Sequence, residues 1–101
     1  MIPGYRNLLV LVLLVLGLQI SCGPSEEDLP IYIKQLKSQE SSVRNKAALS
    51  LAKFGADGEK AVPALIKLLS DKNGGVRSSA AYALRSIDTP QARRALDDYK
   101  K

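Results

Sequence analysis

Two stretches of the chain repeat one nine-residue pattern: Val43–Leu51 reads VRNKAALSL, and Val76–Leu84 reads VRSSAAYAL. The offset between them is 33 residues, and at this offset the 25 positions from Pro30 to Phe54 carry nine identities. A constant period of this length is typical of repeat architectures, in which each unit buries its apolar face against its neighbours. The sequence therefore predicts two stacked units of one design.

Within each unit, apolar residues follow helical spacing and are interrupted by a polar turn. Gly55 suits the left-handed position beyond the second helix of unit one. In unit two, Pro63 lies beyond the first turn of the expected first helix, so we expect a kink or a late helix start there. The predicted helices cover residues 29–37, 41–54, 57–70, 76–87 and 91–99.

The second helix of unit one predicts a buried stripe of Val43, Ala47, Leu51 and Phe54, with Ala48 beside it. Unit two carries the same alanine pair and leucine at the equivalent positions. Small residues at these positions let two helices approach closely. We therefore expect close helix packing at the alanine pairs, with Leu51 and Leu84 filling the seam between the units.

The composition excludes several kinds of site. The chain has 101 residues, no histidine, one cysteine and a formal net charge of +5. Without histidine it lacks the commonest general base and metal ligand, and one cysteine cannot form an intramolecular disulfide. The acidic pair Asp97-Asp98 is interpreted as a solvated helix face, and the sequence contains no persuasive nucleophile–base pair, metal-ligand spacing or phosphate loop. We expect no enzyme activity, no cofactor and no metal site.

The N-terminus has the three parts of a secretory signal peptide. A basic start with Arg6 precedes an apolar run from Leu8 to Leu18, and small residues follow that run. The alternative is a transmembrane helix, which needs about 20 apolar residues, roughly twice the length of this run. We predict a signal peptide over residues 1–21 and export of the chain.

The lone cysteine follows the apolar run, and the residues before it resemble the lipobox of bacterial lipoproteins. Ser21 and Ile20 match the small and small-to-medium positions of that motif, whereas Gln19 departs from its usual leucine. The resemblance implies cleavage before Cys22, which then becomes the N-terminal residue and carries the acyl chains of a stable membrane anchor. The alternatives are ordinary cleavage after Gly23 and retention of the segment as an uncleaved anchor.

A lipid-anchored Cys22 would be joined to the repeats by a short polar linker over residues 22–28. The expected location is the bacterial cell envelope, on the exported side of a membrane. Gly23 stands where the inner-membrane retention signal of such lipoproteins has aspartate, so the outer membrane is allowed.

The two units resemble short bacterial HEAT-like repeats, the type also found in phycobilin lyases. Unit two carries the family's residues in order: Pro63 in the first helix, Asp71 at the turn, and Val76-Arg77, the alanine pair and Leu84 in the second helix. Ankyrin repeats share the period, but their Thr-Pro-Leu-His turn is absent from both units. The resemblance implies an all-α fold, a short right-handed α-solenoid of two helix pairs plus a C-terminal capping helix.

The resemblance also implies a ladder of polar contacts from unit to unit, formed by the turn aspartate and the arginine after valine. Arg44, Asp71 and Arg77 match these positions, while unit one has Ser38 in place of the aspartate. The repeat domain is expected over residues 29–101. Its predicted parts are units at about 29–55 and 57–87 and a half-unit at 89–101.

Helical solenoids present an extended concave surface that binds proteins or peptides, here expected to be lined by the second helix of each pair. The sequence therefore predicts a protein-interaction module with an unknown protein or peptide partner. The candidate partner-face residues are Asn45, Lys46, Lys53, Ser78, Ser79, Tyr82 and Arg85. The alternatives are a structural or self-associating component of an envelope complex and an accessory related to the HEAT-like lyases. No nucleic-acid partner is expected for an exported chain.

Overall fold

The computed structural model describes residues 26–100, where all regular secondary structure is helical. Short 3-10 helices over Glu26–Asp28 and Gly55–Ala61 each lead into the first α-helix of a unit. The α-helices are α1 (Leu29–Gln35), α2 (Ser41–Ala52), α3 (Val62–Leu68), α4 (Gly74–Ile87) and α5 (Pro90–Lys100). The predicted all-α arrangement of two helix pairs followed by a C-terminal helix is confirmed, and it is that of a short α-solenoid. The predicted signal peptide over residues 1–21 and Cys22 lie outside the described residues.

Both first helices have a proline in their first turn. Pro30 and Pro63 lie in the first turns of α1 and α3, each seven residues long. Proline lacks the N–H of an interior helix position, and its ring clashes with the carbonyl four residues earlier. The α-helix expected from residue 57 therefore begins at Val62, and the tighter 3-10 helix takes the preceding residues. The late start expected at Pro63 is confirmed.

Each second helix is followed, within three residues of its end, by a residue in the left-handed region. Gly55 has φ +57°, as predicted for the position beyond α2. α4 ends at Asp88 with φ +53°, which is the conformation that aspartate tolerates better than most residues. Thr89 then caps the N-terminus of α5, because its Oγ1 accepts from the Ala92 N–H at 3.1 Å. These ends turn the chain sharply after each second helix.

The core lies between the helix layers, and the most extensive packing joins α2 to α4. Both alanine pairs are buried there, which permits the close approach of the two helices. Val43 and Phe54 are only half-buried, because α2 ends at Ala52 and the Phe54 ring instead meets the edge of Tyr32 at 6.2 Å between centroids. The largest of the fully buried side chains are Leu51, Val62, Leu65, Val76, Leu84 and Ile87. Each contributes about 1.5–3 kcal/mol by leaving water.

Candidate interaction surface

The same arginine contact recurs in both units. Arg44 Nη1 donates to the Ser38 carbonyl oxygen at 2.8 Å, and Arg77 Nη1 donates to the Asp71 carbonyl oxygen at 2.7 Å. Each arginine lies one turn inside its second helix and reaches back to the turn that precedes that helix. Within a unit, the contact ties the second helix to the end of the first.

One rung of polar contacts joins the two units. Arg44 Nε donates to Asp71 Oδ1 at 2.9 Å, and Arg44 Nη2 donates to Asp71 Oδ2 at 3.0 Å. The two side chains are only 8% and 9% exposed. Such paired, parallel hydrogen bonds are the strongest form of an arginine–carboxylate contact. The hydrogen bond from Arg44 is the main reason that the pKa of Asp71 lies below its ordinary value, although burial opposes the effect.

The turn of unit two is also organised by its own side chains. Asp71 Oδ2 accepts from the Asn73 N–H at 2.9 Å, and Asn73 Oδ1 accepts from the Val76 N–H at 3.0 Å. Asn73 is therefore the N-cap of α4. In unit one, Glu40 holds the equivalent position before α2 and makes no such bond with its side chain.

Most of the predicted partner-face residues are accessible. Asn45 is half-buried, and the exposed members of the set are Lys46, Lys53, Ser78, Tyr82 and Arg85. The prediction is wrong for Ser79, which is 8% exposed and whose hydroxyl donates to the Asn45 side-chain oxygen. Ser79 lies one turn from both Val76 and Ala83, so it belongs to the buried side of α4.

Leu49 was not among the predicted partner-face residues, yet it is 40% exposed. Its equivalent 33 residues later is Tyr82, which is 53% exposed, so the repeat itself carried the signal. The Asn45–Ser79 hydrogen bond shows how α2 and α4 are aligned. Leu49 and Tyr82 each lie one turn beyond that bond on their own helix, so they project from neighbouring positions.

We call this surface the second-helix face; it comprises Asn45, Lys46, Leu49, Lys53, Ser78, Tyr82 and Arg85. Its apolar centre is flanked along the helix axes by Lys46 on one side and by Lys53 and Arg85 on the other. Neither α2 nor α4 contains an acidic residue. The face can therefore offer apolar contact and positive charge to a partner.

The described residues show no arrangement for metal chemistry or membrane crossing. Over residues 26–100, no cluster of three or more His, Cys, Asp or Glu side chains could hold a metal ion. In the same part of the chain, no helix has the length and apolar character needed to cross a membrane. Cys22 lies outside this part.

Comparison with known proteins gives one family. A family model described as HEAT repeats matches residues 29–100, which include both helix pairs and α5. No curated protein and no solved structure matches the chain significantly.

Proposed function

The chain belongs to the HEAT-repeat family, and we propose that it is a lipid-anchored module that binds a protein or peptide through its second-helix face. HEAT repeats are commonly protein-interaction modules, and the family is typically non-catalytic. The proposal adds an anchor at Cys22, a location in the bacterial cell envelope and the absence of catalysis.

The observation that carries the proposal is the exposed pair Leu49 and Tyr82 on adjacent helices. Leu49 is 40% exposed and Tyr82 is 53% exposed, and the two occupy equivalent positions on the two most extensively packed helices. Aromatic residues and arginine are enriched at the centres of protein interfaces, and Tyr82 and Arg85 supply both here. Lys46 and Lys53 extend the positive charge along α2.

The binding face can be tested by photo-crosslinking in native membranes. A probe at Lys46 or Tyr82 is expected to capture a specific partner, and a matched probe at exposed Glu59 on the 3-10 helix serves as the control. Tyr82→Ala is expected to reduce capture from Lys46 strongly, because truncating a central aromatic commonly costs about 2 kcal/mol or more. Equal capture from all three positions would contradict the assignment of the face.

The anchor is supported by the lipobox-like residues before Cys22, and it has its own test. Cys22→Ala is expected to abolish labelling by a fatty-acid analogue and to release or mislocalise the chain. Ser21→Gly keeps a small residue at its position and is expected to preserve labelling. Undiminished labelling of Cys22→Ala would refute lipidation at this residue.

Self-association is the alternative function. A cavity of about 510 Å³ between α3 and α5 is open beside Tyr99, which is 45% exposed. Sedimentation velocity of residues 24–101 over a wide concentration range separates the two proposals. A concentration-independent monomer would contradict self-association, whereas a dimer lost on Tyr99→Ala would favour it.

A further inference from the structure

The first helices border a groove that contains no residue of the second-helix face. One cavity, of about 550 Å³, is lined by apolar side chains of α1 together with Asp57 and Lys60 of the 3-10 helix. A second, of about 390 Å³, continues along α3 past Pro63 and Ala64. The two cavities share Ile33, Lys37 and Lys60 in their linings, so they adjoin each other along the first helices.

Lysines border these cavities on both sides. Lys34 belongs to α1 and Lys37 to the turn after it, while Lys60 belongs to the 3-10 helix and Lys67 to α3. All four are exposed, and none forms an ion pair with another described residue. Asp57 is the acidic residue in the lining. We call this feature the lysine groove; its floor is apolar and its rim carries a net positive charge.

The kind of cation distinguishes this side of the molecule from the other. In the described residues, every arginine lies in α2, α4 or α5, whereas the cations of α1, the 3-10 helix and α3 are all lysines. Arginine binds carboxylates and phosphates through a fixed, paired geometry, whereas lysine acts as a point charge that can meet an anionic group from any direction. The lysine groove therefore suits an anion whose orientation is not fixed, and its apolar floor can cover a hydrocarbon chain attached to that anion.

We propose that the lysine groove binds the headgroup and adjoining acyl region of anionic phospholipids. The rim would neutralise phosphates, and the apolar floor of Ile33, Pro63 and Ala64 would cover the first part of an acyl chain. α1 begins within a few residues of Cys22, so an anchored module would hold the groove at the membrane surface. The inference rests on the proposed anchor in this respect, and it leaves the second-helix face directed toward a partner.

Lysine footprinting of the full chain tests the groove residue by residue. The chain is reconstituted in vesicles of phosphatidylcholine, with or without phosphatidylglycerol, and labelled with a membrane-impermeant amine reagent before mass spectrometry. We expect phosphatidylglycerol to lower the labelling of Lys34, Lys37, Lys60 and Lys67 several-fold. Lys46, Lys53 and Lys72 lie outside the groove and are also exposed, so their labelling should remain unchanged and serves as an internal control.

A double variant then measures the contribution of the rim. In Lys34→Gln/Lys67→Gln, the protection of Lys37 and Lys60 is expected to be lost, because each lysine removed lowers the affinity for anionic lipid by about fivefold. The matched control Lys46→Gln/Lys53→Gln removes the same charge from the second-helix face and should leave that protection unchanged. Equal weakening in the two double variants would mean general electrostatic attraction and would overturn the proposal.

If something other than an anionic phospholipid occupied the lysine groove, the pattern of lysine labelling would differ. Protection that is the same in both kinds of vesicle would assign the groove to the chain's own apolar run over 8–18 or to a neutral lipid, against the proposal. No protection in either kind of vesicle would favour an acidic protein segment and would also overturn it. Flotation of the chain and of Cys22→Ala with neutral vesicles separately reports the anchor. A chain that floats only with Cys22 intact but shows no lipid-dependent protection contradicts the groove alone, and a protected chain whose flotation does not depend on Cys22 contradicts the anchor alone.

Discussion

Arg44 and Arg77 occupy equivalent positions 33 residues apart, yet their surroundings differ. Both donate from Nη1 to a carbonyl oxygen six residues earlier. Arg44 is 6% exposed, and the other edge of its guanidinium binds Asp71 through two hydrogen bonds. Arg77 is half-buried, and no residue within 26–100 accepts from its other edge. The repeated pattern thus provides the contact within a unit, and the contact between units depends on a turn residue that the units do not share.

The largest effect should come from removing that turn residue. Asp71→Ala leaves the Arg44 charge buried without its carboxylate, so we expect the free energy of unfolding to fall by about 3 kcal/mol. Ser38→Ala, the equivalent change in unit one, should cost about 1 kcal/mol or less, since it keeps the carbonyl oxygen that accepts from Arg44 and loses only the exposed hydrogen bond from the Glu40 N–H to Ser38 Oγ. Urea denaturation of residues 24–101, followed by circular dichroism, measures both. Equal losses would remove the distinction between the two turns.

Acid should weaken the Arg44–Asp71 contact less than Asp71→Ala does, because a protonated carboxyl group still accepts hydrogen bonds from Arg44. Arg44 lowers the pKa of Asp71 in the folded chain below its ordinary 3.8. Unfolding therefore favours proton uptake, and the stabilisation is complete well above pH 3.8 and is lost as the pH falls through the folded pKa. Asp71→Asn should remove this part of the pH dependence of unfolding, and an unchanged profile in that variant would contradict the assignment.

The two arginines themselves give the next contrast. Arg77→Ala removes a single hydrogen bond to a carbonyl and should cost about 1.5 kcal/mol. Arg44→Ala should cost about 3 kcal/mol, because it also leaves Asp71 buried without its cation. Thermal and urea unfolding of the two variants under identical conditions measure the difference. A larger loss for Arg77→Ala would mean that this arginine has a partner outside residues 26–100.

The smallest contrast concerns the starts of the second helices. Asn73→Ala removes the side-chain cap of α4 and should lower stability by about 1 kcal/mol. Glu40→Ala changes the residue before α2, whose side chain makes no cap bond, and should have almost no effect. Hydrogen exchange at the first amides of α2 and α4 gives a local measurement of both. Faster exchange at α2 in Glu40→Ala would contradict this difference.

Much of the fold followed from local patterns in the sequence. The period, the prolines of the first helices and Gly55 predicted the helix pairs, since each acts on the backbone within one turn. Within the helix predicted over 57–70, the α-helical part begins only at Val62, because Pro63 fits without cost only in the first turn of an α-helix. The burial of Ser79 was missed because a small polar residue can satisfy its hydroxyl inside a helix interface once a partner such as Asn45 lies opposite.

The sequence by itself determined the number of units, the order of their helices and the residues that form the close packing between α2 and α4. These properties depend on spacing along one helix, which a repeat displays twice. The family resemblance already implied the contact of Asp71 with Arg44. Only the tertiary structure decided that no residue within 26–100 accepts from the other edge of Arg77, that Leu49 is exposed, and that four lysines border the groove beside the first helices. Helical periodicity assigns a residue to a side of its own helix, whereas burial and pairing depend on how neighbouring helices are aligned.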